Sequence, residues 1–334
     1  MMTSFQFLII VKSLKGGIIM EWYWWVLIAV LVLYVIPLFI TSAFAFKFIF
    51  KGPKGEGDFA EIDLSNTGYA IHHDNIKEAI RFFREKDADE LVLESFDGLK
   101  LKGYYYNNNS NKTILFVHGY NALPLNNFAV VGRDLYNEGY NIFFLHQRAH
   151  NESEGKYTTF GIKERKDVVA WAHKLNELYN PEKMVIYGMS MGCASTEMAI
   201  SMDIPSNVKC AVLDCGFKAL FPLMMSETQK RIKINPFFSV LIMNMFTNMF
   251  AGFSMFEATA EDLLKKAKVP CFFIHGKADE TVPFSHAEAN YEACCTEKEK
   301  YFIDGVLHAQ AYYYGGEELK NQLISFLRKH VDGE

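Results

Sequence analysis

The sequence predicts an α/β fold in which a mostly parallel, eight-stranded sheet is flanked by helices. Short apolar segments recur along the chain after residue 90. From the third segment onward they alternate with segments of helical periodicity, which is the pattern of a parallel sheet covered on both faces. The first two segments flank Asp97-Gly98, a dipeptide that favours a hairpin turn. We therefore expect one hairpin followed by repeated strand–helix units.

Eight segments have the length and composition of strands. They are Leu91–Glu94, Leu99–Tyr106, Thr113–Val117, Asn141–Leu145, Met184–Tyr187, Val208–Leu213, Cys271–Ile274 and Lys300–Ile303. Other segments have the periodicity of helices. They are 69–86, Phe128–Glu138, Lys163–Leu178, Cys193–Ser201, Glu257–Ala267 and Glu317–His330. Residues 217–256 interrupt the alternation, because they are apolar, rich in Phe and hold six of the 14 Met residues. We interpret them as a helical insertion over one edge of the sheet.

The segment from Trp22 to Phe46 contains no charged residue. About 20 apolar residues are enough for a helix to cross a bilayer, and aromatic residues at one end are typical of the membrane interface. The alternative is a cleaved signal peptide, whose apolar core is shorter, about 7–15 residues. We expect an uncleaved, single-pass anchor at about 22–46 within residues 1–50, a linker at 51–68, and a catalytic domain at 69–334.

Lysines follow the apolar segment at positions 47, 51 and 54. Under the positive-inside rule they favour a cytoplasmic catalytic domain. Met1 and Met20 both stay open as the start of the chain, and Pro37 is a candidate position for a kink in the helix, which membranes tolerate.

The composition argues against several classes of protein. The chain has 334 residues, 50% of them hydrophobic, and a net charge of −5, so nothing suggests a nucleic-acid partner. No C-x-x-C spacing occurs, so we expect reduced structural thiols and neither a metal site nor a cofactor. The six cysteines are Cys193, Cys210, Cys215, Cys271, Cys294 and Cys295.

The stretch YGMSMGCAS, residues 187–195, places Ser190 between Gly188 and Gly192. A predicted strand precedes the serine and a predicted helix follows it. A serine at such a sharp turn has an exposed hydroxyl, and the small flanking residues allow the strand and the helix to approach closely. The alternative is an ordinary serine N-cap, which is common.

A second strand ends in His118-Gly119. Gly119 permits an unusual turn after which the backbone N–H of Tyr120 can point into a cleft. Together with the N–H of Met191 it would form an oxyanion hole.

Two further strands each precede a candidate catalytic side chain. Asp279 follows one of them, with Glu280 as its neighbouring competitor, and His308 follows the last strand. An acid there can orient a histidine, which then acts as a general base. The competing histidines are His146, His150, His275 and His286, of which His275 ends a strand and is expected to be packed. The chain order Ser190, Asp279, His308 is the order associated with a nucleophile elbow.

Over about residues 90–330 these features resemble the α/β-hydrolase superfamily of serine hydrolases, and most closely its membrane-anchored bacterial YqkD-like members, which are related to the serine aminopeptidase-like branch. The segment 146–161 resembles the family's D-x-R-x-H-G-x-S-x-G, with His146 and Asn151 in place of the commoner Asp and Gly. Gly305-Val-Leu-His308 stands where Gly-x-Gly-His is frequent.

The resemblance implies the α/β-hydrolase fold, with residues 217–256 at the position of a lid. It implies that Ser190 attacks a carbonyl to form an acyl-enzyme, that His308 transfers the proton and that Asp279 orients His308. A serine nucleophile points to a small-molecule ester, thioester or amide substrate, so a carboxylesterase or acyl hydrolase is the first hypothesis. An aminopeptidase-like peptide hydrolase and a non-catalytic, membrane-tethered binding module are the alternatives.

Overall fold

The computed structural model describes residues 22–52, 64, 67–232 and 235–334. The strands in chain order are β1 (Asp89–Glu94), β2 (Lys100–Tyr106), β3 (Lys112–Val117), β4 (Asn141–Leu145), β5 (Lys183–Met189), β6 (Val208–Asp214), β7 (Cys271–Gly276) and β8 (Lys298–Ile303). The helices are α1 (Trp22–Phe50, with a π turn at Leu31–Val35), α2 (His73–Arg84), α3 (Pro124–Asn137), α4 (Glu164–Tyr179), α5 (Met191–Ala199), α6 (Leu220–Ile232), α7 (Phe237–Ala251, ending in a π turn at Thr247–Ala251), α8 (Ala260–Leu264), α9 (Ser285–Ala293), α10 (Ala311–Tyr314) and α11 (Gly316–Leu327).

The eight strands form one sheet in the order β1-β2-β4-β3-β5-β6-β7-β8. Strands β1, β2 and β4 pair in antiparallel fashion, and every other neighbouring pair is parallel. The sheet is therefore mixed but mostly parallel, as the sequence predicted. The predicted hairpin turn joins β1 to β2, and Gly98 has φ 81° there, a conformation that favours glycine.

Apolar side chains of the sheet alternate between two cores. On β3, Phe116 packs with α2, α3 and α11 on one face, whereas Leu115 packs with α4, α5 and α8 on the other. Because both faces are buried, the central strands are apolar throughout, which explains why the sequence pattern identified them.

Two helices, α8 and α9, differ most from the predictions. The helix predicted at Glu257–Ala267 is only Ala260–Leu264, and Thr259 caps its start by accepting a hydrogen bond from the N–H of Asp262 at 3.0 Å. Helix α9 was not predicted at all, since its sequence SHAEANYEA has little apolar periodicity.

The insertion predicted at 217–256 is helical and comprises α6 and α7. Of the six cysteines, all free, five are buried and Cys295 is exposed.

Helix α1 extends four residues beyond the apolar segment identified in the sequence. A π turn replaces one α-helical turn just before Pro37, because proline has no N–H and its ring clashes with the preceding turn. Most of the predicted linker lies outside the described residues. Its first two residues are attached to the domain: Lys51 forms a β-bridge with Tyr157, and Gly52 N–H donates to the Lys156 carbonyl at 3.0 Å.

Replacing Trp171 tests the packing of α4 on the sheet. This side chain is fully buried against Phe143, with ring centroids 4.9 Å apart. We expect Trp171→Ala to lower the free energy of unfolding by about 3–5 kcal/mol, because it leaves a cavity. Trp171→Phe, the matched control, keeps a ring and should cost much less. Urea unfolding in detergent measures both, and equal effects of the two changes would contradict this account.

Candidate active site

Ser190 lies between the end of β5 and the start of α5, with φ 55° and ψ −117°. A non-glycine residue in such a conformation carries about 1–3 kcal/mol of strain, which the surrounding structure must offset. Its N–H donates to the Asp214 carbonyl at 2.8 Å, and its own carbonyl accepts from the N–H of Ala194 at 3.0 Å. Two strong backbone hydrogen bonds thus hold the serine at the carboxyl edge of the sheet.

The glycines on either side allow the close approach of α5 to two strands. A Cβ at Gly192 would lie 1.9 Å from the carbonyl oxygen of Val117 on β3. A Cβ at Gly188 would lie 2.4 Å from the carbonyl oxygen of Gly192 and 2.5 Å from Thr196 Oγ1. Neither contact is possible for a residue with a side chain, so the spacing G-x-S-x-G has a steric cause here.

The structure brings Ser190, His308 and Asp279 together. His308 Nε2 lies 2.9 Å from Ser190 Oγ, and His308 Nδ1 lies 2.6 Å from Asp279 Oδ2. The sheet order explains the meeting, because Ser190, Asp279 and His308 follow β5, β7 and β8 at the same carboxyl edge. With Nδ1–H donating to the carboxylate, Nε2 is the acceptor that faces the serine hydroxyl.

Asp279 is the most firmly held group of the three. Its Oδ1 accepts hydrogen bonds from the N–H groups of Thr281 and Val282, both at 2.8 Å. Burial alone would raise the pKa of this carboxyl, but His275 and His308 outweigh burial and hold its pKa well below the usual range. His275 Nε2 lies 3.3 Å from Asp279 Oδ2, so the strand histidine is packed, as expected, but packed directly behind the acid.

Gly119 and Tyr120 border the serine. A Cβ at Gly119 would lie 3.3 Å from Ser190 Cβ, so this turn runs directly past the nucleophile position. On the other side, Met191 is the first residue of α5, where backbone N–H groups have no acceptor within the helix. The two residues predicted to donate to an oxyanion therefore flank Ser190.

Two residues that the sequence analysis did not assign fix this turn. Gly119 N–H donates to Asn127 Oδ1 at 2.7 Å, and Asn121 N–H donates to His150 Nε2 at 3.2 Å. The turn is thus held on both sides of Tyr120. His150 appeared only as a competing base, whereas Asn127 lies in the first turns of α3 and gave no signal in the sequence.

The other candidates are not brought to Ser190. Glu280 is exposed, and its backbone carbonyl accepts from Lys230. His146 is buried, and burial lowers its pKa to about 4. His286 is also buried, with Nδ1 accepting from the Lys218 N–H at 3.2 Å.

Within the described part of the chain, two clusters present three potential metal ligands each. Cys215, Asp279 and His308 have ligand atoms within 4.8 Å of one another, but Asp279 and His308 already bind each other. In the second cluster, Glu297 and Glu299 form ion pairs with Lys329, which supplies the cation. Neither arrangement points to a metal.

An apolar cluster covers the serine turn. It includes Met191 from the turn, Met224 from α6, Met243 from α7 and Phe50 from α1, and Tyr120 packs against it. The Phe160 ring joins the two sides, because it stacks on Tyr120 with centroids 5.0 Å apart and meets Phe50 edge-on at 5.4 Å.

The family described as alpha/beta hydrolase fold matches residues 112–241, which include the Gly119 turn and Ser190. The chain has the α/β-hydrolase fold. The chain is 23% identical over 256 residues to the Bacillus subtilis protein YqkD, covering 76% of this chain and 84% of YqkD. It is 24% identical over 277 residues to human alpha/beta hydrolase domain-containing protein 17B, covering 81% and 85% of the two chains.

The Pyrococcus furiosus esterase Pf2001 has a similar structure. Its TM-score with this chain is 0.62 at 23% identity, covering 84% of this chain and 99% of the esterase. At this identity the similarity establishes the fold and no particular reaction.

The low pKa of Asp279 predicts how the stability of the protein depends on pH. Because its pKa is lower in the folded than in the unfolded chain, its stabilising contribution is complete above the ordinary carboxyl pKa of about 4. The contribution is lost as the pH falls from there towards the folded pKa. We expect the difference in melting temperature between wild type and Asp279→Asn to be larger at pH 7 than at about pH 3.5. Comparing the two proteins cancels the effects of other carboxyls, and a difference that does not change with pH would contradict the assignment.

Proposed function

We propose that this protein is a membrane-anchored serine hydrolase that cleaves carboxylic esters or thioesters of small acyl substrates through an acyl-enzyme. The hydrogen-bonded chain from Ser190 Oγ through His308 to Asp279 Oδ2, at 2.9 and 2.6 Å, carries the proposal. The distances match those that a nucleophile, a general base and an orienting acid require.

The chemistry follows from these contacts. His308 Nε2 accepts the proton of Ser190 as Oγ attacks the carbonyl carbon, and the N–H groups of Tyr120 and Met191 stabilise the oxyanion. His308 then donates this proton to the leaving group, which departs as an alcohol or thiol. His308 then deprotonates a water molecule, which attacks the acyl carbon. His308 returns this proton to Ser190 Oγ as the bond between Oγ and the acyl carbon breaks and the carboxylic acid is released. Asp279 stays ionised throughout and stabilises the charged imidazole.

Helix α1 supports the membrane attachment in this proposal. It has 29 residues and, over its most apolar window, is only 6% buried in the protein. An apolar helix that the described part of the chain leaves uncovered needs another apolar environment, and its length suits a bilayer. Lys47 and Lys51 at its end favour a catalytic domain on the cytoplasmic side.

A fluorophosphonate probe tests the nucleophile. We expect the probe to label Ser190 of the full-length chain in detergent or nanodiscs. Ser190→Ala should abolish labelling and lower kcat for p-nitrophenyl esters by roughly a thousandfold or more, because the acyl-enzyme cannot form. Ser195→Ala, which removes a buried hydroxyl on α5, is the matched control and should still be labelled. If folded wild type takes up no probe, the proposal fails.

A substrate panel separates the hydrolase classes. We expect turnover of p-nitrophenyl esters of short acids and little turnover of aminoacyl p-nitroanilides. The apolar cluster beside the serine turn contains Phe and Met side chains, and such side chains suit the acyl part of an ester. Strong turnover of anilides without turnover of esters would favour the aminopeptidase-like alternative. If the probe labels Ser190 but neither class of substrate is hydrolysed, the assignment as an esterase is wrong.

A further inference from the structure

Helix α7 is apolar on both of its faces. Its inner side chains, including Val240, Met243 and Thr247, are buried against the domain. Its outer stripe consists of Phe238, Leu241, Met245 and Met249, of which Phe238 and Met249 are 67% and 65% exposed. These four residues follow the i, i+3, i+7, i+11 spacing of one helix face. A helix that is hydrophobic all round is normally buried in protein or in lipid.

Each Ser, Thr and Asn side chain of α7 makes at least one hydrogen bond within the protein. The helix contains no charged residue, and its Ser, Thr and Asn side chains bond within the protein. Ser239 Oγ lies 3.0 Å from Ser42 Oγ of α1, Thr247 Oγ1 and Asn248 Nδ2 donate to the Asn244 carbonyl, and Asn244 Oδ1 accepts from Met255 N–H at 2.7 Å. Side chains bonded in this way can be transferred into an apolar medium at little cost.

The position of α7 along α1 sets its depth. Twenty residues from Trp22 to Thr41 rise about 30 Å, which is the thickness of the hydrocarbon core. Helix α7 contacts α1 on both sides of this point: Ser239 meets Ser42, and Phe246 packs on Phe39 and Phe46, with centroids 5.5 and 5.8 Å apart. With only 15 residues, α7 is too short to cross the bilayer, and its length and composition are those of an interfacial segment.

We propose that the outer face of α7 (Phe238, Leu241, Met245 and Met249) inserts into the boundary of the bilayer that α1 crosses, so that the acyl substrate reaches Ser190 from the lipid phase. The first half depends on the membrane attachment of α1. The second half rests on the proposed serine hydrolase function, because it names the source of that enzyme's substrate.

Apolar side chains connect α7 with the serine turn. The buried side of α7, the end of α1 and Met191 belong to one apolar cluster. Thr158 links two of them, since its N–H donates to the Phe50 carbonyl at 2.9 Å and its Oγ1 lies 3.2 Å from Met191 Sδ. An acyl chain leaving the lipid beside α7 would therefore meet apolar side chains up to the serine turn.

Depth measurement tests the insertion directly, on the full-length chain in phosphatidylcholine nanodiscs. In a Cys295→Ser background, single cysteines at Met249, at Tyr34 of α1 and at Val92 of β1 are labelled with an environment-sensitive fluorophore. Val92 is the matched control, because it is apolar and 48% exposed but lies on β1, outside the outer face of α7.

We expect lipid-borne nitroxides to quench the label at Met249→Cys nearly as strongly as at Tyr34→Cys, and about threefold more than at Val92→Cys. Quenching at Met249→Cys equal to that at Val92→Cys would overturn the insertion. The insertion would also be overturned if the label at Met249→Cys were shielded from aqueous iodide but not quenched by the lipid nitroxides, because a second copy of the chain would then cover α7. Weak quenching at Tyr34→Cys as well would instead refute the membrane attachment of α1.

Kinetics test the route of the substrate. The ratio of turnover of a long-chain ester carried in vesicles to turnover of soluble p-nitrophenyl butyrate should fall about tenfold in Met249→Glu, because a charge at this depth opposes insertion. Val92→Glu should leave the ratio unchanged. An unchanged ratio in Met249→Glu would overturn the lipid route, whereas a wild type that hydrolyses neither ester would refute the proposed function and leave the quenching result standing.

Discussion

The contact of α5 with β3 and β5 is the constraint on which the candidate site depends. Gly192 lies so close to the Val117 carbonyl that any side chain would collide with it, and Gly188 lies equally close to α5. This packing forces Ser190 into its strained turn and aims the helix N-terminus at the same point. A longer distance between helix and strand would relax the serine, but it would also separate the hydroxyl from the N–H groups predicted to bind the oxyanion.

The carboxyl edge of the sheet also carries Asp279, the charged partner of His308. Asp279 is buried, and a buried carboxylate is costly unless hydrogen bonds and opposite charge offset the loss of water. Two backbone N–H groups and two histidine rings supply that compensation. The loop after β7 thus fixes the acid, the acid fixes His308, and the free ring nitrogen of His308 meets Ser190. The hydrogen bonds that compensate the buried charge of Asp279 therefore also fix the position of His308 Nε2, the proton acceptor.

The end of helix α1 packs directly on the folded domain. The Phe50 carbonyl and the Gly52 N–H bond to the loop 156–158, and the ring of Phe50 packs on Phe160 beside Tyr120. The end of α1, α7 and the serine turn consequently share one apolar cluster. Because side chains in such a cluster are close-packed, a shift of α1 relative to the domain would displace side chains at the serine turn.

The sequence by itself determined the eight strands, the apolar helix and the loops that carry Ser190, Asp279 and His308, because buried strands and close-packed glycines leave strong local patterns. It did not reveal α9, whose periodicity is weak, or the support that Asn127 and His150 give to the Gly119 turn. It also could not show that α1 packs on α7, or that His275 lies behind Asp279. Those contacts join residues far apart in the chain, and a contact between distant residues imposes no periodicity on either segment, so only the tertiary structure decided them.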